Sequence, residues 1–215
     1  VRGAGSRALL AYPAELTDLR LGGRRLPPVQ AVAMDMSQMA QALGTEVHGA
    51  LGFSLLSDRI LTIDPGTKRV ALREPPWESV APWVPLHITE GSPSSDAVFI
   101  NGHPIRAALD TGAQPMITIS TAKAQSLGLG DLLESADPGT VRGARGSAPV
   151  LRARADSLRI GEMSLHDVPV AFAEWVEEGD AIIGMEFFGH FVTTFDYASA
   201  RLYLGPAQLP PDARP

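Results

Sequence analysis

The segment Ala107-Ala108-Leu109-Asp110-Thr111-Gly112-Ala113 decides how the rest of this chain is interpreted. It has the pattern of an apolar strand that ends at a carboxylate on a glycine turn. Gly112 suits a backbone that turns sharply or takes a positive φ. Ile117-Thr118-Ile119 then resumes the strand pattern. An Asp-Thr-Gly turn alone is weak evidence, because turns are rich in Asp and Gly, so its meaning depends on what surrounds it.

The composition favours many short strands over long helices. The 215 residues include 21 Gly and 18 Pro, and 45% are hydrophobic while 20% are charged. Such a chain can bury one or two small cores. The net charge of −6 and the lack of a Lys/Arg run argue against a nucleic-acid partner. No apolar run approaches the roughly 18 residues of a membrane span, so we expect no membrane partner.

Two stretches of the chain repeat each other at a constant offset. Segments 49–72 and 181–204 share an apolar-Gly turn, a strand that ends in Asp, and a second strand. The offset is the same at every matched position, and it equals the separation of Asp64 from Asp196. Internal duplication of this kind indicates a fold built from two similar halves. The turn Asp64-Pro65-Gly66-Thr67 predicts a type II turn, which makes Asp64 and Asp196 structural turn residues.

An insertion separates the two copies further upstream. The offset is larger between Leu19–Gly22 and Leu158–Gly161, and larger again between the first four residues and Val141–Ala144. The drift places extra residues between about Met34 and His48. They predict a short helix with Ser37 as its N-cap and Gly44 just past its end. Strands are predicted on the N-terminal side of this helix, over residues 16–21 and 29–33.

The second copy contains a segment, roughly 83–140, that has no counterpart in the first. By symmetry the missing counterpart carries its own acid turn, about 31 residues before Val1. The chain is therefore expected to be a fragment-like two-lobed molecule that lacks the front of its first lobe. The predicted domains are the C-terminal part of a first lobe (1–74), a proline-rich linker (75–82), a complete second lobe (83–206) and a tail (207–215).

A hairpin carries Asp110 and a helix follows it. The strands 97–100 and 105–109 flank Asn101-Gly102, which suits a type I′ turn. After Ile119, Ser120 is placed to cap a helix over residues 121–127 that Gly128 closes.

This order of strand, acid turn, strand and helix resembles the pepsin-like and retropepsin-like aspartic proteases. The resemblance covers nearly the whole chain and implies an all-β fold of β-barrel lobes. It implies Asp110 as a catalytic residue, supported by Thr111, Gly112 and Ala113 of its own loop. Ile182-Ile183-Gly184 matches the paired apolar residues and glycine that lie beside the acid turn in the family. The sequence departs from the usual pattern at Gln114-Pro115, where a small hydroxylated residue is more common.

The resemblance also implies a flap, the hairpin that closes over substrate. It falls on the Gly-rich stretch Val141-Arg142-Gly143-Ala144-Arg145-Gly146, of which Val141, Gly143, Ala144 and Gly146 are the expected substrate-binding positions. A Gly-rich hairpin can open at small steric cost, and its amides can bond an extended peptide. An ordinary flexible loop is the alternative. The aromatic residues of the second copy, Phe187, Phe188, Phe191 and Phe195, are expected in the core.

The family chemistry requires two facing carboxylates, and this chain offers one in that context. The second is expected from the missing front of the first lobe or from a homodimer partner about a two-fold axis. Thr111 would then bond across to the partner turn. The expected activity is endopeptidase cleavage of a peptide or protein substrate. The alternative is a catalytically inactive peptide-binding or scaffold protein.

Other chemistries find little support. The five histidines are scattered without ligand spacing, which argues against zinc, and no Gly-x-Ser-x-Gly elbow occurs. Without cysteine there are no disulfides, thiolate metal sites or Cys nucleophiles. We expect no cofactor and no metal. A periplasmic or secreted location is favoured, although the lack of cysteine does not fix the compartment.

Overall fold

The computed structural model describes residues 10–77, 79, 81–143, 146–176 and 180–206. The chain forms two compact units. Unit 1 comprises the residues up to Leu55 together with Thr140–Ala148, and unit 2 comprises Leu56–Gly139 and the residues from Pro149 onward. The boundaries predicted from the sequence, at residues 74 and 83, divide the chain into expected lobes and not into these compact units. They stay a prediction.

Unit 1 is built from short strands and one helix. Two antiparallel strands, β1 (Ala11–Leu16) and β4 (Val29–Met34), pair along their full length. Between them lies a small hairpin of β2 (Arg20–Leu21) and β3 (Arg24–Arg25). The strand predicted over 16–21 is therefore wrong in its extent, because the chain bends between β1 and β2. Helix α1 (Ser37–Leu43) ends at Gly44 with φ 66°, as predicted.

The N-terminus of α1 differs from the prediction. Ser37 is the first helical residue and Met36 occupies the N-cap. The side chain of Asp35 accepts the Ser37 N–H at 2.9 Å, so the hydrogen bond at the start of the helix comes from Asp35 and not from the serine. A four-residue helix, α2 (Phe53–Leu56), follows at the junction with unit 2.

Unit 2 holds most of the strands and the main core. In chain order its elements, two of which extend into residues 140–148, are β5 (Ile60–Asp64), β6 (Arg69–Arg73), β7 (Trp83–Pro85), β8 (His87–Thr89), β9 (Ser92–Ile100), β10 (His103–Leu109), β11 (Ile117–Ser120), α3 (Thr121–Ser126), α4 (Gly130–Glu134), β12 (Asp137–Gly143), β13 (Gly146–Ile160), β14 (Met163–Ala173), β15 (Ala181–Ile183), α5 (Met185–Phe188), β16 (Phe191–Asp196) and β17 (Arg201–Pro206). The predicted all-β class is confirmed. None of the helices in the described part of the chain is long and apolar enough to cross a membrane.

The larger sheet of unit 2 curls back on itself. Its strand order is β12-β13-β14-β11-β15-β10-β9-β8, and an additional pairing of β13 with β9 closes the curl. The short strand β15 runs parallel to β10 on one side and antiparallel to β11 on the other. β15 therefore lies between the two strands that flank the acid turn and hydrogen-bonds to both of them.

A second sheet in unit 2 joins the two copies of the repeat. Its order is β6-β5-β16-β17-β7, so the hairpin from the first copy pairs with the hairpin from the second. The predicted core aromatics are buried here and around it: Phe187, Phe188 and Phe195 have no exposed surface, and Phe191 is 7% exposed.

Two predicted turns had different outcomes. Asn101 and Gly102 take φ of 47° and 80°, which confirms a type I′ turn. The type II prediction for residues 64–67 is wrong, because Gly66 lacks the positive φ that this turn needs and Lys68 takes it instead. Asp64 accepts the Thr67 N–H and hydroxyl, at 3.1 and 2.7 Å, and these bonds hold the pKa of its carboxyl below the usual range. Its predicted role as a turn residue is confirmed.

Phe195→Ala is expected to destabilise the chain by about 3–5 kcal/mol, because it leaves a large cavity in the core. Phe195 is fully buried and packs against the rings of Phe188 and Tyr197, with centroids 5.7 and 5.6 Å away. Urea unfolding compares the variant with Val70→Ala, which trims a side chain that is 67% exposed and should change stability by less than about 0.5 kcal/mol. Equal effects of the two substitutions would contradict the assignment of this core.

Candidate active site

Asp110 lies immediately after the last residue of β10. Its N–H donates to the Ile183 carbonyl at 2.9 Å, which extends the parallel pairing of β10 with β15 by one more bond. The strand before it is anchored by buried Ala107 and Leu109. The backbone that carries the acid is therefore held by the core, while the acid itself is exposed.

The carboxylate of Asp110 is oriented by its own loop. Its Oδ1 accepts the Gly112 N–H at 2.8 Å, and the Asp110 carbonyl accepts the Ala113 N–H at 3.1 Å. Gly112 does not adopt positive φ, contrary to one of the two reasons given for it above. A Cβ on residue 112 would lie 3.1 Å from Oδ1, so glycine allows the close approach of the carboxylate to the backbone. Residues Asp110, Thr111 and Gly112 are all exposed.

The loop after the acid rests on the turn that follows β15. The Met185 N–H donates to the Ala113 carbonyl at 2.7 Å, and the Gly184 N–H donates to the Met116 carbonyl at 3.3 Å. A Cβ on Gly184 would lie 2.4 Å from the Pro115 carbonyl oxygen and 2.6 Å from that of Ala113. No side chain fits there without moving one of the two backbones. Ile182 and Ile183 of β15 pair with Ala108 and Leu109 of β10, the two residues before the acid.

Glu186 is a supporting residue that the sequence did not reveal. Its N–H donates to the Gln114 carbonyl at 3.1 Å, and its carboxylate accepts the Met116 N–H, also at 3.1 Å. The loop at Gln114-Pro115 thus obtains its hydrogen bonds from the first turn of α5. The only sequence signal was the position of Glu186 two residues after Gly184, and an acid in the first turn of a helix is too common to be diagnostic.

Charged side chains brace the entry to β15. Arg106 on β10 makes a bidentate pair with Asp96 at 2.6 and 3.0 Å, and Lys123 of α3 lies 2.9 Å from Asp180. Arg106, with a smaller contribution from His87, holds the pKa of the Asp96 carboxyl below its usual range. The Asp180 N–H donates to the Arg106 carbonyl at 3.2 Å, so these pairs surround the residue that leads into Ala181. They form a polar frame around the support strand, in which Arg106 and Asp96 are exposed and Lys123 and Asp180 are half-buried.

The predicted flap lies in the part of the chain that groups with unit 1. Val141 and Gly143 are in β12, and Gly146 opens β13 with φ 107°. Ala144 lies outside the described residues. Within unit 1, Arg142, Gly143, Gly146 and Ser147 line a cavity of about 170 Å³ with three residues of α1: Gln38, Gln41 and Ala42. The helix predicted in the inserted segment therefore contributes to the surroundings of this hairpin.

Two further expectations concern partners of the site. Thr111 is exposed at the tip of the loop, and its bond to a partner turn stays a prediction. Among the residues that the structure describes, no group of three or more His, Asp or Glu side chains could hold a metal ion.

Comparisons with known proteins place these features in context. Residues 97–187 match a family model described as aspartyl protease, and this range contains the acid loop and β15. A stretch of 97 residues is 31% identical to the DNA damage-inducible protein 1 of Eremothecium gossypii, which is 45% of this chain and 20% of that protein. The chain thus spans about a fifth of the length of this relative. Among solved structures, a retropepsin-like aspartic protease from Rickettsia conorii matches with a TM-score of 0.46 and 20% identity, over 60% of this chain and 95% of that one.

Proposed function

We propose that this chain is an aspartic endopeptidase in which Asp110 supplies one of two catalytic carboxylates, because residues 97–187 match a family model described as aspartyl protease. The observation that carries the proposal is the loop itself. Asp110 is exposed at the end of a buried strand, with its carboxylate fixed by the Gly112 N–H and its backbone fixed by Ile183. A rigid backbone under an exposed acid is what positioned acid–base chemistry needs.

The chemistry requires a second acid close to the first. Two carboxylates held side by side cannot both ionise cheaply, so they share one proton, and aspartic proteases are the standard example. The ionised member removes a proton from a bound water, whose oxygen attacks the peptide carbonyl carbon. The protonated member donates to the carbonyl oxygen, where negative charge develops. The tetrahedral intermediate then collapses to a carboxylic acid and a free amine. The pair titrates as a unit.

The substrate class follows from how such a site binds its ligand. An extended peptide can pair with strand edges and with the amides of a Gly-rich hairpin, which gives main-chain recognition with modest side-chain selectivity. Val141, Gly143, Ala144 and Gly146 are the proposed flap positions for this role. Thr111, Gly112, Ala113, Ile182, Ile183 and Gly184 are the proposed support of the acid.

Cleavage of an unfolded protein at acidic pH tests the proposal. The protein is incubated with the unfolded substrate, with and without a statine-type inhibitor. We expect internal peptide bonds to be cut and the inhibitor to stop the cutting, because its hydroxyl mimics the tetrahedral intermediate. Retention of the substrate without cleavage would favour a peptide-binding protein and overturn the endopeptidase proposal.

A further inference from the structure

The cavity of unit 1 lies between helix α1 and the Gly-rich hairpin of β12 and β13. Its volume is about 170 Å³, and both the helix and residues 140–148 of the hairpin belong to this unit. Pockets that enclose a whole small molecule measure roughly 300–1,000 Å³, so this cavity has the size for a single side chain. The hairpin lies within the range that matches the family model, and α1 lies outside it. The cavity thus joins a family element to a helix that the family match does not include.

The lining of this cavity is rich in hydrogen-bond donors. Its described polar side chains are the amides of Gln38 and Gln41, the guanidinium of Arg142 and the hydroxyl of Ser147. A guanidinium carries five N–H donors and no acceptor, and each Gln amide carries two N–H donors. None of these four side chains forms a hydrogen bond or an ion pair with another described residue. Their donors are therefore available to a ligand.

The charge of the lining is positive. Arg142 is the one charged residue among the described lining residues, and the helix Ser37–Leu43 contains no Asp, Glu, Lys or Arg. Gly143 and Gly146 add no side chain to the cavity, and a Cβ built on Gly146 meets no described atom within 4 Å. Arg142 is exposed, so a ligand can reach its guanidinium from solvent. A positive, donor-rich lining without a described acid is complementary to a carboxylate.

We propose that this cavity binds the side-chain carboxylate of a glutamate or aspartate in the peptide substrate, with Arg142 as its main partner. Gln38, Gln41 and Ser147 supply further donors. A carboxylate offers two oxygens with about four acceptor positions, which match the fork of a guanidinium and leave positions for the amides. A neutral carboxamide would turn its own NH₂ group toward these donors, so the cavity should discriminate against it. The inference rests on the proposed function, because it names the substrate class as peptides with an acidic residue that reaches the proposed flap.

Cleavage of paired peptides tests the proposal. Fluorogenic peptides with blocked ends carry either Glu or Gln at one position, and this position is moved in turn along both sides of the cleaved bond. At about pH 6, above the ordinary glutamate pKa of about 4.3, the two peptides differ by one charge. We expect kcat/KM to be at least about tenfold higher for the Glu peptide at one position, because hydrogen bonds to charged groups are the strong ones. Arg142→Gln should reduce this ratio to about one, and Arg142→Lys should retain part of it.

Arg73→Gln is the matched control. It removes the same charge from an exposed position on β6, which belongs to unit 2 and does not line the cavity. Its Glu-to-Gln ratio should stay within about twofold of the parent. In the parent the ratio should fall toward one below about pH 4, because the substrate glutamate becomes protonated while Arg142, the one titratable side chain of the described lining, stays charged. A ratio near one at every position, or a preference that Arg142→Gln leaves intact, would overturn the proposal.

A binding measurement separates this proposal from the endopeptidase proposal. The Asp110→Asn variant is titrated with each peptide while NMR records the side-chain amides of Gln38 and Gln41. We expect these signals to shift with the Glu peptide, and the shifts to disappear when Arg142→Gln is added. If the amides shift although the parent cleaves neither peptide, the carboxylate site stands and the endopeptidase proposal fails. If the parent cleaves both peptides equally and the amides do not shift, the protease stands and the carboxylate site fails. Without cleavage and without shifts, both fail.

Discussion

Asp110→Asn is expected to lower the proposed peptide cleavage by about 10²- to 10⁴-fold, the range attributed to positioned acid–base catalysis. Asparagine keeps the shape of the side chain, and its oxygen can still accept the Gly112 N–H, so the loop should survive. What is lost is the ability to take and return a proton. The measurement is the rate of cleavage of a fluorogenic peptide at acidic pH, with the thermal midpoint recorded for the same preparation.

The matched control for this substitution is Asp156→Asn. Asp156 is an exposed carboxylate on β13, so the variant loses the same charge outside the acid loop. Its cleavage rate should stay within about twofold of the parent, since surface substitutions of this kind have small effects. If Asp110→Asn retained full activity while folded, Asp110 would not be a catalytic residue. A parallel loss in both variants would point to net charge as the cause.

Gly184→Ala is expected to be the most damaging substitution outside the acid loop. The new Cβ would lie 2.4 and 2.6 Å from two carbonyl oxygens of the backbone that follows Asp110, so the loop or β15 must move. Overpacking of this kind costs about 1–3 kcal/mol of stability. A displacement of about 1 Å at a catalytic group can lower the rate by about 100-fold, so cleavage should fall even where the protein remains folded.

Urea unfolding and the cleavage assay together measure this effect. Gly52→Ala is the control for stability, because it is the same change at the corresponding glycine of the other hairpin segment, with no described atom within 4 Å of the added Cβ. We expect the unfolding midpoint to shift for residue 184 and not for residue 52. An unchanged midpoint and an unchanged rate for Gly184→Ala would show that β15 does not position the acid loop.

The proposed activity needs two catalytic carboxylates, and Asp110 is one of them. One half of the proposed catalytic arrangement is seen in the described residues: a held backbone, an oriented carboxylate and a support strand framed by the Arg106–Asp96 and Lys123–Asp180 pairs. Asp110 is exposed, so the side of the loop that carries its carboxylate is open to solvent. In the proposed mechanism two neighbouring carboxylates share one proton, so Asp110 requires a second acid beside it.

The amino-acid sequence by itself determined the local features of this protein. The Asn-Gly hairpin, the apolar strand before Asp110 and the Ile-Ile-Gly support depend on short-range geometry, which residue types and spacing encode directly. The constant offset between segments 49–72 and 181–204 was also visible, because both hairpins keep an Asp at the start of the turn.

Only the tertiary structure decided the contacts between distant segments. The Met116 N–H donates to Glu186 across 70 positions of the chain, and Thr62 pairs with Thr194 across 132. The roles of the glycines also depend on tertiary contacts. Glycine is needed at 112 and 184 because other atoms of the acid loop approach these residues closely. Gly66 lacks the positive φ expected from a type II turn. Such contacts depend on which surfaces the fold brings together, and residue spacing along the chain does not encode that information.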